Sequence, residues 1–174
     1  MSVKKRDMAR EKRDYRSSMD SAMKLYNSSL NQLTSATCHK SPNNDELAKI
    51  RDSLRAVLVG DDTMVIIQSG PFIWKYREQI SKKEESFFLE NTFNDDIEIA
   101  KEKLGNLDKS KDFSDLEIAT IMDSIKSIYT NMSSPEKETI WRFVMDLLRA
   151  YAQYVGAERK LNQVEVEIRD LIKK

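Results

Sequence analysis

Glycine and proline are scarce in this chain, with four Gly and three Pro among 174 residues. β-Sandwiches and nucleotide-binding α/β folds use glycine freely in turns and phosphate loops, so this scarcity favours an all-helical protein. Glycine occurs only at positions 60, 70, 105 and 156, and this spacing excludes a Gly-rich phosphate loop. The sequence therefore predicts helices and argues against the common nucleotide-binding folds.

Cysteine and histidine occur once each, side by side, as Cys38 and His39. One cysteine excludes an intramolecular disulfide and a multi-cysteine zinc site, and one histidine excludes a His-rich metal centre. Adjacent side chains rarely face one another as a catalytic Cys–His pair must. We predict no catalytic residue, no metal, no cofactor, no small-molecule substrate and no enzymatic activity. Catalysis by carboxylates alone stays open, because a buried pair of acids cannot be located from sequence.

Long apolar runs are also missing. No uninterrupted apolar run is longer than the four residues of Met64–Ile67, which is far too short to span a bilayer. The first residues, MSVKKRDMAREKRD, lack the apolar region of a secretory signal. These features predict an intracellular, cytoplasmic protein without a membrane partner.

The chain carries 29 basic and 29 acidic residues, so its formal net charge is zero. The basic residues are concentrated in the first 16 positions, which we interpret as a basic N-terminal extension leading into a helix. Its basic residues could bind the phosphates of a nucleic acid. The candidate nucleic-acid-binding residues are Lys4, Lys5, Arg6, Arg10, Lys12, Arg13 and Arg16.

Residues 133–155 have the strongest helical pattern. Ser133 or Ser134 can cap the helix, Pro135 suits its first turn, and Glu136 stands where a capping box requires it. Apolar residues then recur at three- and four-residue spacings along one wide face. They are Ile140, Trp141, Val144, Leu147, Leu148, Tyr151 and Val155. This segment is predicted to be the central helix of the fold.

Beyond Gly156 the apolar positions continue with a spacing close to a heptad. Residues 157–174 are therefore a candidate C-terminal helical arm, which either docks on the body or self-associates. Two segments are predicted to interrupt helices: the polar stretch Thr34–Asn44, as a linker, and Ser69–Pro71, as a chain break. The helix after that break is apolar on most sides. The candidate interaction surface comprises Phe72, Trp74, Leu161, Val164, Ile168 and Leu171.

Two segments resemble patterns in a group of viral proteins. SGPFIWKYREQI, followed by Phe87 and Phe88, has a Tyr-Arg dipeptide after an apolar aromatic turn. SPEKETIWRFVMDLL is a capped helix with a Glu-rich start, Ile-Trp and a leucine repeat. Both resemble segments of uncharacterised helical proteins of nucleocytoplasmic large DNA viruses. The resemblance implies a viral assembly or virion-associated factor, located in the host cytoplasm or in the virion. It assigns no catalytic or binding residue.

Together these patterns predict one all-α domain spanning residues 1–174, a helical bundle of five to seven helices with a long C-terminal helix. Its central helix is expected to pack against residues 114–131 and 72–80. The predicted function is a non-enzymatic structural or protein-interaction role, through a protein partner or self-association. The alternative is a nucleic-acid-associated protein that uses the basic N-terminal helix.

Overall fold

The computed structural model describes residues 3–107 and 115–172. These residues form eight α-helices and no strand, which confirms the all-α class and the long C-terminal helix. In chain order the helices are α1 (Val3–Lys40), α2 (Asp45–Gly60), α3 (Met64–Lys75), α4 (Arg77–Ser81), α5 (Glu85–Glu90), α6 (Asn94–Leu107), α7 (Asp115–Thr130) and α8 (Ser134–Ile172). The number exceeds the expected five to seven because Tyr76 separates α3 from α4 and Glu85–Glu90 forms a short helix of its own.

The first and last helices form an antiparallel pair that spans the molecule. α1 has 38 residues and α8 has 39, so each is about 57 Å long at 1.5 Å per residue. Near one end Lys12 forms an ion pair with Glu165 at 2.7 Å, and at the other end Lys40 forms one with Glu136. Between these ends the Gln153 amide donates a hydrogen bond to the Ser18 carbonyl at 3.1 Å.

α8 is continuous through Gly156, and its C-terminal part packs on α1. Ala157 and Val164 are buried and Leu161 is half-buried on the side that faces α1. Residues 157–172 therefore pack against α1 of the same chain. The sequence had suggested residues 114–131 and 72–80 as the neighbours of α8. α3 and α4 do contact α8, and Tyr129 of α7 accepts a hydrogen bond from Trp141 of α8, but α1 is the principal partner of α8. Residue 114 lies outside the described residues.

The predicted linker Thr34–Asn44 is wrong, because α1 continues to Lys40. The hydroxyls of Thr34 and Thr37 donate hydrogen bonds to backbone carbonyls one turn earlier, so these polar side chains are accommodated within the helix. Cys38 is buried in a cluster with Leu47 of α2. Only residues 41–44 form the turn, and the Asn44 side chain then caps α2 by accepting from the Leu47 amide at 3.0 Å.

The predicted chain break at residues 69–71 is also wrong, because α3 runs through Pro71. Proline removes one intrahelical hydrogen bond and disfavours the helix by about 3 kcal/mol. Burial of Val65 and Ile66, both fully buried, offsets this cost. Gly70 supports the packing, because a Cβ there would lie only 2.2 Å from ring carbons of Tyr151 on α8.

The main core lies where α1, α2, α3 and α8 meet. Its buried members are Ala22, Met23, Tyr26, Leu54, Val65, Ile66, Leu147, Ala150 and Tyr154. The Ser69 hydroxyl donates to the Val65 carbonyl at 2.7 Å, so the fully buried Tyr26 hydroxyl is the donor in its 2.7 Å bond to Ser69. Burial raises the pKa of Tyr26, which keeps the phenol neutral.

The start of α8 follows the sequence prediction. The Ser133 amide donates to the Glu136 carboxylate at 2.8 Å, and the Glu136 amide donates to the Ser133 hydroxyl at 3.4 Å, which confirms the capping box. Trp141 is buried, as expected of a central residue. Its indole N–H donates to the Tyr129 hydroxyl at 2.8 Å, and that hydroxyl donates to Glu85 at 3.1 Å. This chain of hydrogen bonds joins α8, α7 and α5.

Replacing Gly70 tests the close contact between α3 and α8. We expect Gly70→Ala to lower the free energy of unfolding by about 1–3 kcal/mol, because the added methyl group overlaps the ring of Tyr151. Urea unfolding followed by circular dichroism measures this change.

Gly156→Ala is the matched control, because a Cβ there meets nothing within 4 Å. Alanine should stabilise this helix-interior position by about 0.5–1 kcal/mol. If Gly70→Ala stabilises the protein as much as Gly156→Ala does, the close approach of α3 to α8 is incorrect.

The Lys12–Glu165 ion pair between α1 and α8 should make the stability of the protein depend on pH in the acid range. A hydrogen bond from Lys12 and, less strongly, the charge of Arg16 hold the pKa of Glu165 below its ordinary value. The ionised Glu165 therefore stabilises the folded protein at pH values above the unfolded-state pKa of this residue. This stabilisation is lost as the pH falls through its folded-state pKa. Between about pH 5 and pH 3, the wild-type protein should lose more unfolding free energy than Glu165→Gln.

Glu167→Gln is the control for this experiment, since Glu167 is exposed on the same helix. It should retain the wild-type pH dependence of unfolding. Equal acid sensitivity of wild type and Glu165→Gln would contradict the role given to the Lys12–Glu165 pair.

Candidate interaction surfaces

Most of the predicted interaction surface is covered by the chain itself. Leu161, Val164, Ile168 and Leu171 lie at heptad spacing along the side of α8 that faces α1. Val164 is 7% exposed, and the other three are half-buried. Their burial indicates that they belong to the contact between α1 and α8. Of the predicted surface residues, only Phe72 and Trp74 are exposed.

Phe72 is 41% exposed, but its ring belongs to an aromatic cluster. The ring centroid lies 5.1 Å from that of Tyr76 and 6.3 Å from that of Phe93. Tyr76 also donates a hydrogen bond to the buried Asp96 carboxylate, which pairs with Lys75. Phe72 therefore helps to join α3 to α6, at a position separate from Trp74.

Trp74 lies against α8 and is 43% exposed. Its ring centroid lies 6.3 Å from that of Tyr151, and the Arg77 guanidinium lies 5.0 Å from the indole. The ring is thus held between an aromatic neighbour and a cation, which limits its motion without covering it.

Further apolar side chains extend the surface around Trp74. Ile67 and Pro71 precede it on α3 at helical spacing and are also exposed, so the three share one face. On α8, the exposed Val155 lies one turn after Tyr151. We define the Trp74 surface as Ile67, Pro71, Trp74, Tyr151 and Val155.

The sequence identified Trp74 but not Ile67 or Val155. Their spacing is visible, but α3 is apolar on most sides, so periodicity could not show which side stays exposed. Val155 was assigned to the buried face of the central helix. In the structure Val155 lies one turn beyond Tyr151, the residue that contacts α3, and its side chain is 40% exposed.

The seven basic candidates of α1 do not form one surface. Lys12 and Arg16 both contact Glu165, at 2.7 and 3.4 Å, beside the junction with α8. Arg6, Arg10 and Arg13 are spaced by four and three residues, so they share an exposed face that we call the arginine stripe. The remaining candidates, Lys4 and Lys5, are exposed near the start of the helix.

The arginine stripe is partly neutralised by its surroundings. Asp14 lies 4.0 Å from Arg10, one turn along the same helix, and both side chains are mostly exposed. Such an exposed pair is worth at most about 1 kcal/mol and leaves the guanidinium available to another anion. Three arginines on one face can still contact successive phosphates.

Two further observations concern ligands and membranes. Within residues 3–107 and 115–172, no cluster of three or more His, Cys, Asp or Glu side chains is arranged to hold a metal ion. Over the same ranges, no helix combines the length and apolar character needed to cross a bilayer.

Comparison with known proteins gives no relative. No protein-family model matches this chain, and neither a curated protein nor a solved structure is significantly similar to it. The resemblance to proteins of large DNA viruses stays a prediction.

Proposed function

We propose that this is a non-enzymatic structural or protein-interaction protein that binds a protein partner through the Trp74 surface. The observation that supports this most directly is the exposure of Trp74, at 43%, among other exposed apolar side chains. A group of large apolar residues on one face is typical of an interaction site, and tryptophan is enriched among the residues that dominate binding energy.

The rigidity of the surface supports the same role. Gly70 brings α3 into direct contact with Tyr151, and the buried Tyr26–Ser69 hydrogen bond fixes α3 on α1. Because the backbone under Trp74 is held on two long helices, binding requires little ordering of the chain. The antiparallel α1–α8 pair then acts as a frame about 57 Å long.

The resemblance to viral proteins supports a more specific version of this proposal. In that version the partner is another component of a virus particle or its assembly machinery, and the protein works in the host cytoplasm or in the virion. Self-association of this chain fits the same surface and is distinguished by the mass of the complex.

Site-specific photo-crosslinking in the cells that make the protein tests this proposal. Replacing Trp74 by benzoylphenylalanine keeps an aromatic side chain at the centre of the surface, and irradiation should give one predominant protein adduct. An adduct of twice the 20.2 kDa chain mass identifies self-association, and another mass identifies a different partner.

Ile99 on α6 is the control position, since it is 52% exposed and lies outside the Trp74 surface. In the purified complex, Trp74→Ala should weaken binding by about 2 kcal/mol, as expected of a central aromatic residue. Absence of an adduct from position 74, or the same adducts from positions 74 and 99, would contradict the proposal.

The arginine stripe supports a second candidate function, binding of a nucleic acid. Affinity for a DNA duplex should decline as salt is raised, with a log–log slope of about −3 if three phosphates are contacted. Replacing Arg6, Arg10 and Arg13 by glutamine should abolish binding measured by fluorescence anisotropy.

Lys12→Gln with Arg16→Gln is the control, because these two side chains already contact Glu165. This pair of changes should weaken duplex binding less than loss of the stripe. No binding by the wild-type protein at low salt would rule out the nucleic-acid role.

A further inference from the structure

A cleft lies between the C-terminal turns of α1 and the middle of α2. Its lining residues are Ser35, Cys38, His39, Pro42, Arg51 and Arg55, and its volume is about 260 Å³. Ligand pockets for drug-sized molecules usually enclose about 300–1,000 Å³, so this cleft suits a smaller ligand. It is referred to below as the α1–α2 cleft and lies outside the Trp74 surface.

The side chains of the cleft converge because both helices contribute residues one turn apart. Arg51 and Arg55 leave the same face of α2, and Ser35 and His39 leave the same face of α1. The Arg55 guanidinium donates to the Ser35 hydroxyl at 3.4 Å. Asp52 accepts a 3.0 Å hydrogen bond from Nε of Arg51, so the two terminal amino groups of Arg51 remain for another acceptor.

The electrostatics of the cleft favour an anion. Burial raises the pKa of the Cys38 thiol, the positive charges of Arg51 and Arg55 act to lower it, and the charge of Asp52 has a smaller opposing effect, so the two arginines dominate the field at the inner wall of the cleft. The thiol donates to the Leu47 carbonyl at 3.5 Å and stays neutral there. The negative end of the α1 dipole and the positive end of the α2 dipole meet at the turn 41–44 and offset each other.

We propose that the α1–α2 cleft binds a small anion that carries a phosphoryl group. The planar guanidinium groups of Arg51 and Arg55 match phosphate oxygens in geometry and charge, and each can donate two hydrogen bonds. The Ser35 hydroxyl and an N–H of the His39 imidazole supply further donors on the opposite wall. This inference is independent of the interaction role of the Trp74 surface.

The single histidine makes the cleft directly observable. Because His39 is the only histidine, its ring-proton signals in an NMR spectrum need no assignment by mutation. Inorganic phosphate should shift them saturably when chloride keeps the ionic strength constant. Arg55→Gln should weaken phosphate binding at least about tenfold, equivalent to about 1.4 kcal/mol, and the double variant Arg51→Gln, Arg55→Gln should abolish the saturable shift.

Arg149→Gln is the matched control, because it also removes an arginine that pairs with a nearby aspartate, Asp146 at 3.1 Å, but on α8. This variant should bind phosphate as the wild type does. A shift that does not saturate, that chloride alone reproduces, or that survives both cleft substitutions would overturn the proposal. If the double variant loses the circular dichroism signal of its helices, the single variant Arg55→Gln provides the test instead, because Arg55 is exposed and its replacement should not affect folding.

Two sources of the phosphoryl group are distinguished by the choice of probe. Glycerol phosphate, a free phosphomonoester, should shift the His39 signals as inorganic phosphate does. A short DNA duplex offers only phosphodiesters within a polymer too large for a cleft of about 260 Å³ to enclose. Saturable shifts with the duplex but not with glycerol phosphate would overturn the assignment to a small ligand.

Discussion

The pairing of α1 with α8 is the contact on which the other packing depends. An isolated helix of this length gains little from propensity alone, and tertiary packing supplies most of the stability of helices in proteins. The contact is narrow where only two helices meet: Met8 and Val164 are buried there, while Tyr15 and Leu161 stay half-exposed. Near its opposite ends, the Lys12–Glu165 and Lys40–Glu136 ion pairs join the two helices.

α3 shows how that frame shapes an exposed surface. It fits between the two long helices, with Tyr26 of α1 on one side and Tyr151 of α8 on the other. Its buried residues account for the continuation of the helix through Pro71. A helix that is apolar on most sides cannot bury every side when it has neighbours on only some of them, so Trp74 remains at the surface. The packing that stabilises α3 therefore also produces the proposed interaction site.

Features that depend on neighbouring residues are predictable from the sequence, whereas features that depend on distant contacts are not. The capping box of Ser133 and Glu136 involves residues one turn apart, so the sequence contains all of it. The polar segment Thr34–Asn44 resembled a linker, yet the burial of Cys38 against α2 keeps it largely helical. In the sequence Gly70 resembles part of a chain break, because the residue that it contacts, Tyr151, lies 81 positions further along the chain. The α1–α2 cleft is not predicted from the sequence for the same reason, since the two arginines that line it with His39 come from another helix.

The length of α1 keeps the proposed sites independent. The arginine stripe is centred near residue 10 and the α1–α2 cleft near residue 37, so about 40 Å of helix separates them. Exposed charges are largely screened beyond a Debye length of about 8 Å at physiological ionic strength. An anion in the cleft therefore cannot neutralise the stripe, and a nucleic acid on the stripe does not compete for Arg51 or Arg55. Coupling between the two would have to pass through the packing of α1 against α8, which is the most extensive contact in the described part of the chain.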